Sequence, residues 1–286
     1  MNKLINTTKA TLLLLSLGVA INVMAAGSSE TLSANTDRKS VISMQKGAQT
    51  FMNYCAACHS MQYMRYDAMV EFLEIPAEIV EKNLMFSGDQ ITDHITNNVP
   101  EKAALDWFGK VPPDLTLVAR VRGVDWLYTF LKSYYTDSNR PFGVNNTLFT
   151  DVGMPHVLAP LQGTQIKTNA AFELQTKIEQ ANLALAKAQK EGNSSEVDTQ
   201  RAIITEATAA ISDLKTSNTY FEIAEAGSLS AEEYDVLVRD LVNFLDFAGE
   251  PNKLERHALG IKVILFLLVF FFLSYFLKKE YWRDVH

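Results

Sequence analysis

Residues 41–60 read VISMQKGAQTFMNYCAACHS, and Cys55-Ala56-Ala57-Cys58-His59 within them has the pattern Cys-x-x-Cys-His. Two thiols at this spacing can each add to a vinyl group of a haem, and the next histidine can offer its imidazole to the iron. The chain has only two cysteines, so both belong to this pattern. The stretch predicts one covalently attached haem c, linked through Cys55 and Cys58, with His59 as an axial ligand.

Three other uses of the cysteine pair remain open on the sequence alone. A thioredoxin-type dithiol would follow a strand in an α/β pattern, whereas the preceding stretch is helical and no series of strands is visible. A zinc site would need further ligands, usually a second Cys or His pair. A plain disulfide would suit an oxidising compartment but would leave His59 without a role.

Outside the motif, the apolar periodicity predicts a mainly α fold. Residues 40–54 and 124–134 each place apolar side chains three and four positions apart, which is typical of a helix with one buried face. A third helix begins at Ser230, which forms a capping box with Glu233, and ends near residue 249. Two of these helices can bury their apolar stripes by crossing each other beside the haem.

The start of the chain predicts export. Residues 1–26 carry Lys3 and Lys9, then an apolar stretch and small residues, which is the layout of a signal peptide cleaved near Ala25 or Ala26. An uncleaved anchor helix is the alternative.

The other end predicts a membrane anchor. Residues 258–277, ALGIKVILFLLVFFFLSYFL, contain a single charge, Lys262, and would be about 30 Å long as a helix, enough to span a bilayer. The basic and aromatic tail, residues 278–286, favours the cytoplasmic side. We therefore expect a single-pass protein of the bacterial inner membrane, with residues 27–257 as a periplasmic haem domain.

Composition limits the partners. The chain has 286 residues, 26 Lys and Arg against 33 Asp and Glu, and a formal net charge of −7. Proteins that bind nucleic acid present a basic surface, so no nucleic-acid partner is expected. An acidic surface suits a basic protein partner instead.

Several residues are candidates for the sixth iron ligand. Met154 stands in a loop, Asp151-Val152-Gly153-Met154-Pro155-His156, whose glycine and proline can fix the backbone. Met85, His94 and His156 remain alternatives. The other methionines outside residues 1–26 fit buried helix faces, and they are Met44, Met52, Met61, Met64 and Met69.

Five blocks of sequence, in this order, resemble the cytochrome c1 family in its proteobacterial form, the haem subunit of the cytochrome bc1 complex. The blocks are CAACHS (55–60), PPDLT (112–116), VARVR (118–122), GMPH (153–156) and YDVLVRDLVNFLDFAGEP (234–251). The resemblance implies a cytochrome c-like haem domain with one C-terminal transmembrane helix. It also implies that His59 and Met154 are the axial ligands of the haem iron.

The resemblance gives roles to further residues. A carbonyl of Pro112 or Pro113 would accept the ring N–H of His59, which fixes the tautomer of that imidazole. Arg120 would pair with a haem propionate, since a guanidinium meets a carboxylate through two hydrogen bonds. Arg122 is the neighbouring alternative to Arg120.

The function that the resemblance implies is a relay of one electron at a time. The chain would work beside a cytochrome b subunit, accept electrons from a Rieske iron–sulfur protein and pass them to a soluble or membrane-tethered cytochrome c. It would make and break no bonds itself, so its status as an enzyme is uncertain. The alternatives are a tethered c-type electron carrier and the haem subunit of a terminal oxidase.

One region departs from the family pattern. Residues 170–214 contain two alanine-rich, charged stretches around Gly192-Asn193-Ser194-Ser195, which predicts an antiparallel helical hairpin. The family usually has a shorter connection here. The hairpin is interpreted either as a solvated surface element without chemistry or as a docking arm for another subunit or an electron carrier.

Overall fold

The computed structural model describes residues 31–217 and 219–283, and most of these residues are helical. The predicted signal peptide, residues 1–26, lies outside the described residues. The helices are α1 (Val41–Tyr54), α2 (Asp67–Leu73), α3 (Ala77–Asn83), α4 (Glu101–Phe108), α5 (Val118–Arg122), α6 (Val124–Lys132), α7 (Ala159–Gln162), α8 (Asn169–Glu191), α9 (Ser194–Thr216), α10 (Ala231–Gly249) and α11 (Lys253–Tyr281). The strands are β1 (Met61–Arg65), β2 (His94–Ile95), β3 (Tyr134–Thr136), β4 (Val144–Asn146), β5 (Gly163–Lys167) and β6 (Phe221–Ala226).

The core of the domain is built on the crossing of α1 and α10, as the two apolar stripes predict. Gly47 lies at the point of closest approach, where a Cβ atom would come within 2.6 Å of Phe244 Cβ and would also meet the Asp240 carbonyl. The absence of a side chain at Gly47 therefore lets the helices touch. Beside it, the rings of Phe51 and Phe244 pack with centroids 5.8 Å apart. The mainly α fold class is confirmed.

Two predicted details of the helices need correction. Helix α6 ends at Lys132 and not at residue 134, because the Ser133 hydroxyl donates to the Thr129 carbonyl and Tyr134 already pairs with Asn146 in a ribbon. In addition, α10 is buried on more than its apolar stripe. Asn243, for example, is fully buried, and its amide donates to the Asp37 carbonyl before α1 and to the Ser43 hydroxyl within α1.

Short antiparallel ribbons, which the sequence pattern did not reveal, connect the helices. The described residues contain three two-stranded sheets, pairing β1 with β2, β3 with β4, and β5 with β6. These strands are two to six residues long, too short to show a clear alternation in the sequence. They hold the loops of the domain rather than form a separate layer.

The predicted hairpin is present as α8 and α9. Thr168 caps the start of α8, Gly192 ends it with φ +70°, and Asn193 caps the start of α9. The two helices meet through small residues, of which Ala181 and Ala207 are almost fully buried. The hairpin extends from the ribbon of β5 and β6, and most of its surface is exposed.

Helix α11 has the length and composition of a membrane span, and its apolar side chains are exposed along its whole length. Its 29 residues extend beyond both ends of the predicted span, residues 258–277. Lys253, in its first turn, pairs with the buried carboxylate of Asp246 at 3.1 Å. Helix α11 is thereby joined directly to the end of α10.

Candidate haem site

The cysteine motif lies where α1 ends. Cys55 caps the helix, and the backbone N–H groups of Cys58 and His59 both donate to its carbonyl, at 3.1 and 2.9 Å. This tight turn brings the three motif residues together at the surface of the core. Cys55 is buried, Cys58 is half-buried, and no disulfide joins them.

The imidazole of His59 is held in one tautomer. Its Nδ1 lies 2.7 Å from the Pro113 carbonyl, and a carbonyl can only accept, so Nδ1 carries the proton. The lone pair on Nε2 is then free for a metal, and no described residue bonds to that atom. Burial lowers the pKa of His59, while the hydrogen bond to Pro113 and the charge of Asp114 oppose this shift. The ring is therefore neutral, as a metal ligand must be.

Of the two prolines named from the sequence, Pro113 makes the contact with His59 and Pro112 does not. The loop behind Pro113 is fixed by Asp114, whose carboxylate accepts the N–H groups of Gln62 at 2.7 Å and Thr116 at 2.9 Å. This role of Asp114 was not predicted, although an Asp two residues before Thr116 is a common turn signal.

A second residue that the sequence analysis missed is Asn97. Its amide donates to the Cys58 carbonyl at 2.9 Å, and its backbone N–H donates to the Ser60 hydroxyl at 3.0 Å. Asn97 thus clamps the haem-motif turn from the segment after β2. No local pattern in the sequence indicates this contact, since the residues are 39 positions apart.

Among the methionine candidates, Met154 differs from all the others in its surroundings. It lies in the predicted loop, half-buried and outside the hydrophobic core. Met85 packs against the core from its edge. The remaining candidates are buried core residues, namely Met44, Met52, Met61, Met64 and Met69. Met154 is therefore the thioether with the fewest competing packing contacts.

The loop before Met154 is tightly fixed. Asp151 adopts φ +61° and pairs with Arg140 at 2.9 Å, and its N–H donates to the buried Asn145 side chain at 2.9 Å. A Cβ on Gly153 would clash with the Lys110 side chain, so the loop passes close to residues after α4.

Of the two histidine alternatives, His156 contacts other side chains and His94 is exposed on its strand. His156 Nε2 lies 2.8 Å from Gln162 Oε1, and the ring stacks on Tyr134 with centroids 4.6 Å apart. Burial lowers the pKa of His156 to about 4, so the ring is neutral near pH 7. His94 is exposed on β2, opposite Arg65.

The two arginines of α5 have different surroundings. Arg120 is exposed, its stem lies beside Gly249 of α10, and no described residue pairs with its guanidinium. Arg122 instead lies over the Trp126 ring, 4.9 Å from the centroid. Arg120 therefore has its guanidinium free of any partner among the described residues, whereas that of Arg122 is held on an aromatic ring.

The structure disfavours the rival uses of the cysteines. Burial, together with neighbouring Cys58, raises the pKa of the Cys55 thiol to about 12, whereas a reactive dithiol needs a lowered pKa. Within residues 31–217 and 219–283, no group of three or more His, Cys, Asp or Glu side chains is placed to hold a metal ion. The described residues therefore offer no cluster of the size that a zinc site uses.

The donor set fits a c-type haem. Two thiols, a neutral imidazole with a free Nε2 and an uncommitted thioether are the groups that such a haem uses. Arg120 adds a donor for a propionate.

Comparisons with known proteins agree with this chemistry. A model of the cytochrome C1 family matches residues 29–213 and 227–285, and so runs through most of the hairpin. Cytochrome c1 of Allochromatium vinosum is 44% identical over 265 residues, which cover 92% of this chain and 93% of that protein.

Two further relatives were found. The ammonia monooxygenase gamma subunit of Nitrosomonas europaea is 35% identical over 254 residues, 88% of each chain. Cytochrome c1 of Rhodospirillum rubrum is 27% identical over 275 residues, covering 85% of this chain and 81% of that one. Proteins of the matched family carry a covalently attached haem c and act in electron transport. This chain belongs to the cytochrome c1 family.

Proposed function

We propose that the chain is the haem subunit of a quinol–cytochrome c oxidoreductase (bc1 complex), relaying one electron at a time from the Rieske protein to a cytochrome c. Family membership supports its place beside cytochrome b and the Rieske protein. The observation that carries the proposal is the 2.7 Å contact between His59 Nδ1 and Pro113, because it leaves Nε2 ready for iron.

The residue roles follow from this geometry. Cys55 and Cys58 would form the two thioether links, and the core behind the buried Cys55 would exclude water from one side of the site. His59 and Met154 would hold the iron, and a thioether paired with an imidazole would raise its reduction potential. When bound, the haem supplies a one-electron couple.

Pro113 and Arg120 influence the reduction potential of the site without binding the iron. Pro113 orients the His59 ring and increases its basicity through the Nδ1–H bond. Arg120 places a positive charge where a propionate would lie, which favours the reduced state and holds the group in place. Pro112 precedes Pro113 in the same loop and makes no hydrogen bond to His59.

We also propose that the protein is anchored in the bacterial inner membrane by α11, with the haem domain in the periplasm and the C-terminus in the cytoplasm. The exposed apolar surface of α11 and the basic residues at its end support this orientation. Residues 1–26 act as the signal peptide in this proposal, and residues 278–286 as the cytoplasmic tail.

The test is to purify the chain from native membranes in mild detergent and to record a reduced-minus-oxidised visible spectrum. The proposal predicts bands of c-type and b-type haem together, because a cytochrome b would copurify. A lone c-type spectrum would contradict the proposal and favour a tethered carrier. Copurification with a terminal oxidase or a monooxygenase would contradict it as well.

A further inference from the structure

The backbone of Met154 is attached to the rest of the domain through Tyr134. The Tyr134 hydroxyl lies 3.4 Å from the Met154 carbonyl oxygen, and no other described residue donates to that oxygen. The same tyrosine ring stacks on His156, two residues further on, with centroids 4.6 Å apart and planes inclined by 5°. His156 is in turn bonded to Gln162. The Tyr134 side chain thus contacts the loop at Met154 and again at His156.

Tyr134 is itself held rigidly. It is 1% exposed and begins β3, where it pairs with Asn146. Its carbonyl accepts a hydrogen bond from the Gln165 side chain at 2.7 Å, and its ring meets the Phe130 ring edge-on at 5.4 Å. A tyrosine fixed on both its backbone and its ring presents its hydroxyl in one place.

We propose that Tyr134 is a positioning residue that orients the Met154 loop so that the thioether faces the iron. The inference rests on the proposed role of Met154 as an axial ligand. Its physical basis is preorganisation. A loop that is already held in the ligating conformation loses less entropy on ligation than a free loop. Without the hydroxyl, the Met154 carbonyl loses its donor, and the form with the methionine detached becomes more populated.

The test uses the full-length haem-loaded protein in detergent and compares three variants. Tyr134→Phe removes the hydroxyl and keeps the ring stack on His156. Tyr234→Phe is the matched control, because Tyr234 is also buried and also donates to a backbone carbonyl, that of Leu131 at 3.0 Å. Met154→Leu removes the proposed ligand. The readouts are carbon monoxide binding to the reduced protein, the reduction potential and the midpoint of unfolding.

Tyr134→Phe is expected to increase the rate of carbon monoxide binding roughly two- to threefold, the lower end of the effect of losing one neutral hydrogen bond, because 3.4 Å is long for a hydroxyl donor. It is also expected to lower the reduction potential. Tyr234→Phe is expected to lower only the midpoint of unfolding. Gln165→Leu, which frees the Tyr134 carbonyl, is a second variant should Tyr134→Phe fail to incorporate haem. It is expected to change carbon monoxide binding in the same direction.

The possible results distinguish the axial assignment of Met154 from the positioning role of Tyr134. If Met154→Leu leaves both carbon monoxide binding and potential unchanged, the axial assignment is wrong. If Met154→Leu opens the iron but Tyr134→Phe and Gln165→Leu behave like Tyr234→Phe, the axial assignment stands and the positioning role of Tyr134 is overturned.

Discussion

At the scale of single residues, the site depends on which atoms are already bonded within the protein. His59 has one ring nitrogen committed to Pro113 and one free, whereas His156 is committed to Gln162 and stacked on Tyr134. The same imidazole chemistry is therefore open to a metal in one case and used in the packing of a loop in the other.

The axial assignment predicts the behaviour of Met154→Leu. The reduction potential should fall by at least about 100 mV, because the axial ligand is among the strongest determinants of haem potential, and the reduced iron should bind carbon monoxide. A redox titration checks the shift. Met85→Leu is the control, since Met85 packs against the core. An unchanged titration for Met154→Leu, with a shift in the control, would move the ligand to Met85.

Arg120→Gln should lower the reduction potential by roughly 20–60 mV, because a positive charge beside a propionate favours the reduced state and 59 mV is a tenfold change for one electron. Arg122→Gln is the matched control two residues away, with its guanidinium on Trp126. Equal shifts in the two variants would show a general effect of surface charge and would count against the propionate role.

The residues of the site were predictable from sequence to different degrees. In the motif Cys55 to His59, the residues proposed to bind the haem lie within five consecutive positions. The motif alone was therefore enough to name them. The contacts of Asn97 and Tyr134 join segments far apart in the chain, and no local pattern contains that information. The sequence could not show which of the two prolines bonds to His59, and the folded loop shows that it is Pro113.

At the scale of secondary structure, caps and apolar periodicity predicted the long helices well. Ser230 and Glu233 form the capping box that the sequence indicated, and α10 ends at Gly249. The ribbons were missed because strands of two to six residues are defined by their partners and not by their own pattern. The end of α6 was misplaced because Tyr134 continues the apolar period into β3.

The crossing of α1 and α10 predicts that Gly47→Ala destabilises the domain. Alanine favours a helix by about 1 kcal/mol over glycine, but its Cβ would overlap Phe244 and the Asp240 backbone, and overpacking of this kind costs about 1–3 kcal/mol or more. Denaturant unfolding, followed by the haem spectrum, measures the net effect. Gly260→Ala is the control, since its surroundings are open. A stabilised Gly47→Ala protein would contradict the close crossing.

The hairpin should be dispensable for the haem fold. Thr168 and Tyr220 are bonded at the end of the β5–β6 ribbon, so Asn-Gly in place of residues 169–219 can close it as a two-residue turn. The shortened protein is expected to keep its haem spectrum and potential. A loss of haem, checked against the full-length protein expressed in parallel, would show that the hairpin supports the core.

At the scale of the whole molecule, an ion pair connects α11 to the rest of the domain, in addition to the covalent chain. Arg38, from the segment before α1, lies 3.7 Å from the buried Asp246, and Lys253 of α11 pairs with the same carboxylate. The first turn of α11 is therefore tied to the domain, which the run of apolar residues alone could not indicate.

This junction predicts where the chain can be cut. Removal of residues 258–286 should release a soluble, haem-containing domain, because Lys253 remains to pair with Asp246. Removal of residues 253–286 takes that partner away and should lower the unfolding midpoint, since a buried carboxylate loses one of its cations. Equal midpoints for the two truncations, by thermal unfolding, would show that the Lys253 pair contributes nothing.

The central claim is that this chain relays electrons from quinol oxidation to a cytochrome c. The most direct measurement is stopped-flow absorbance of the complex purified from native membranes, mixed first with a quinol and then with oxidised cytochrome c. The account predicts that the c-type band of this chain appears after quinol and disappears on addition of the cytochrome. A c-type haem that quinol does not reduce, in a preparation that contains cytochrome b, would contradict it.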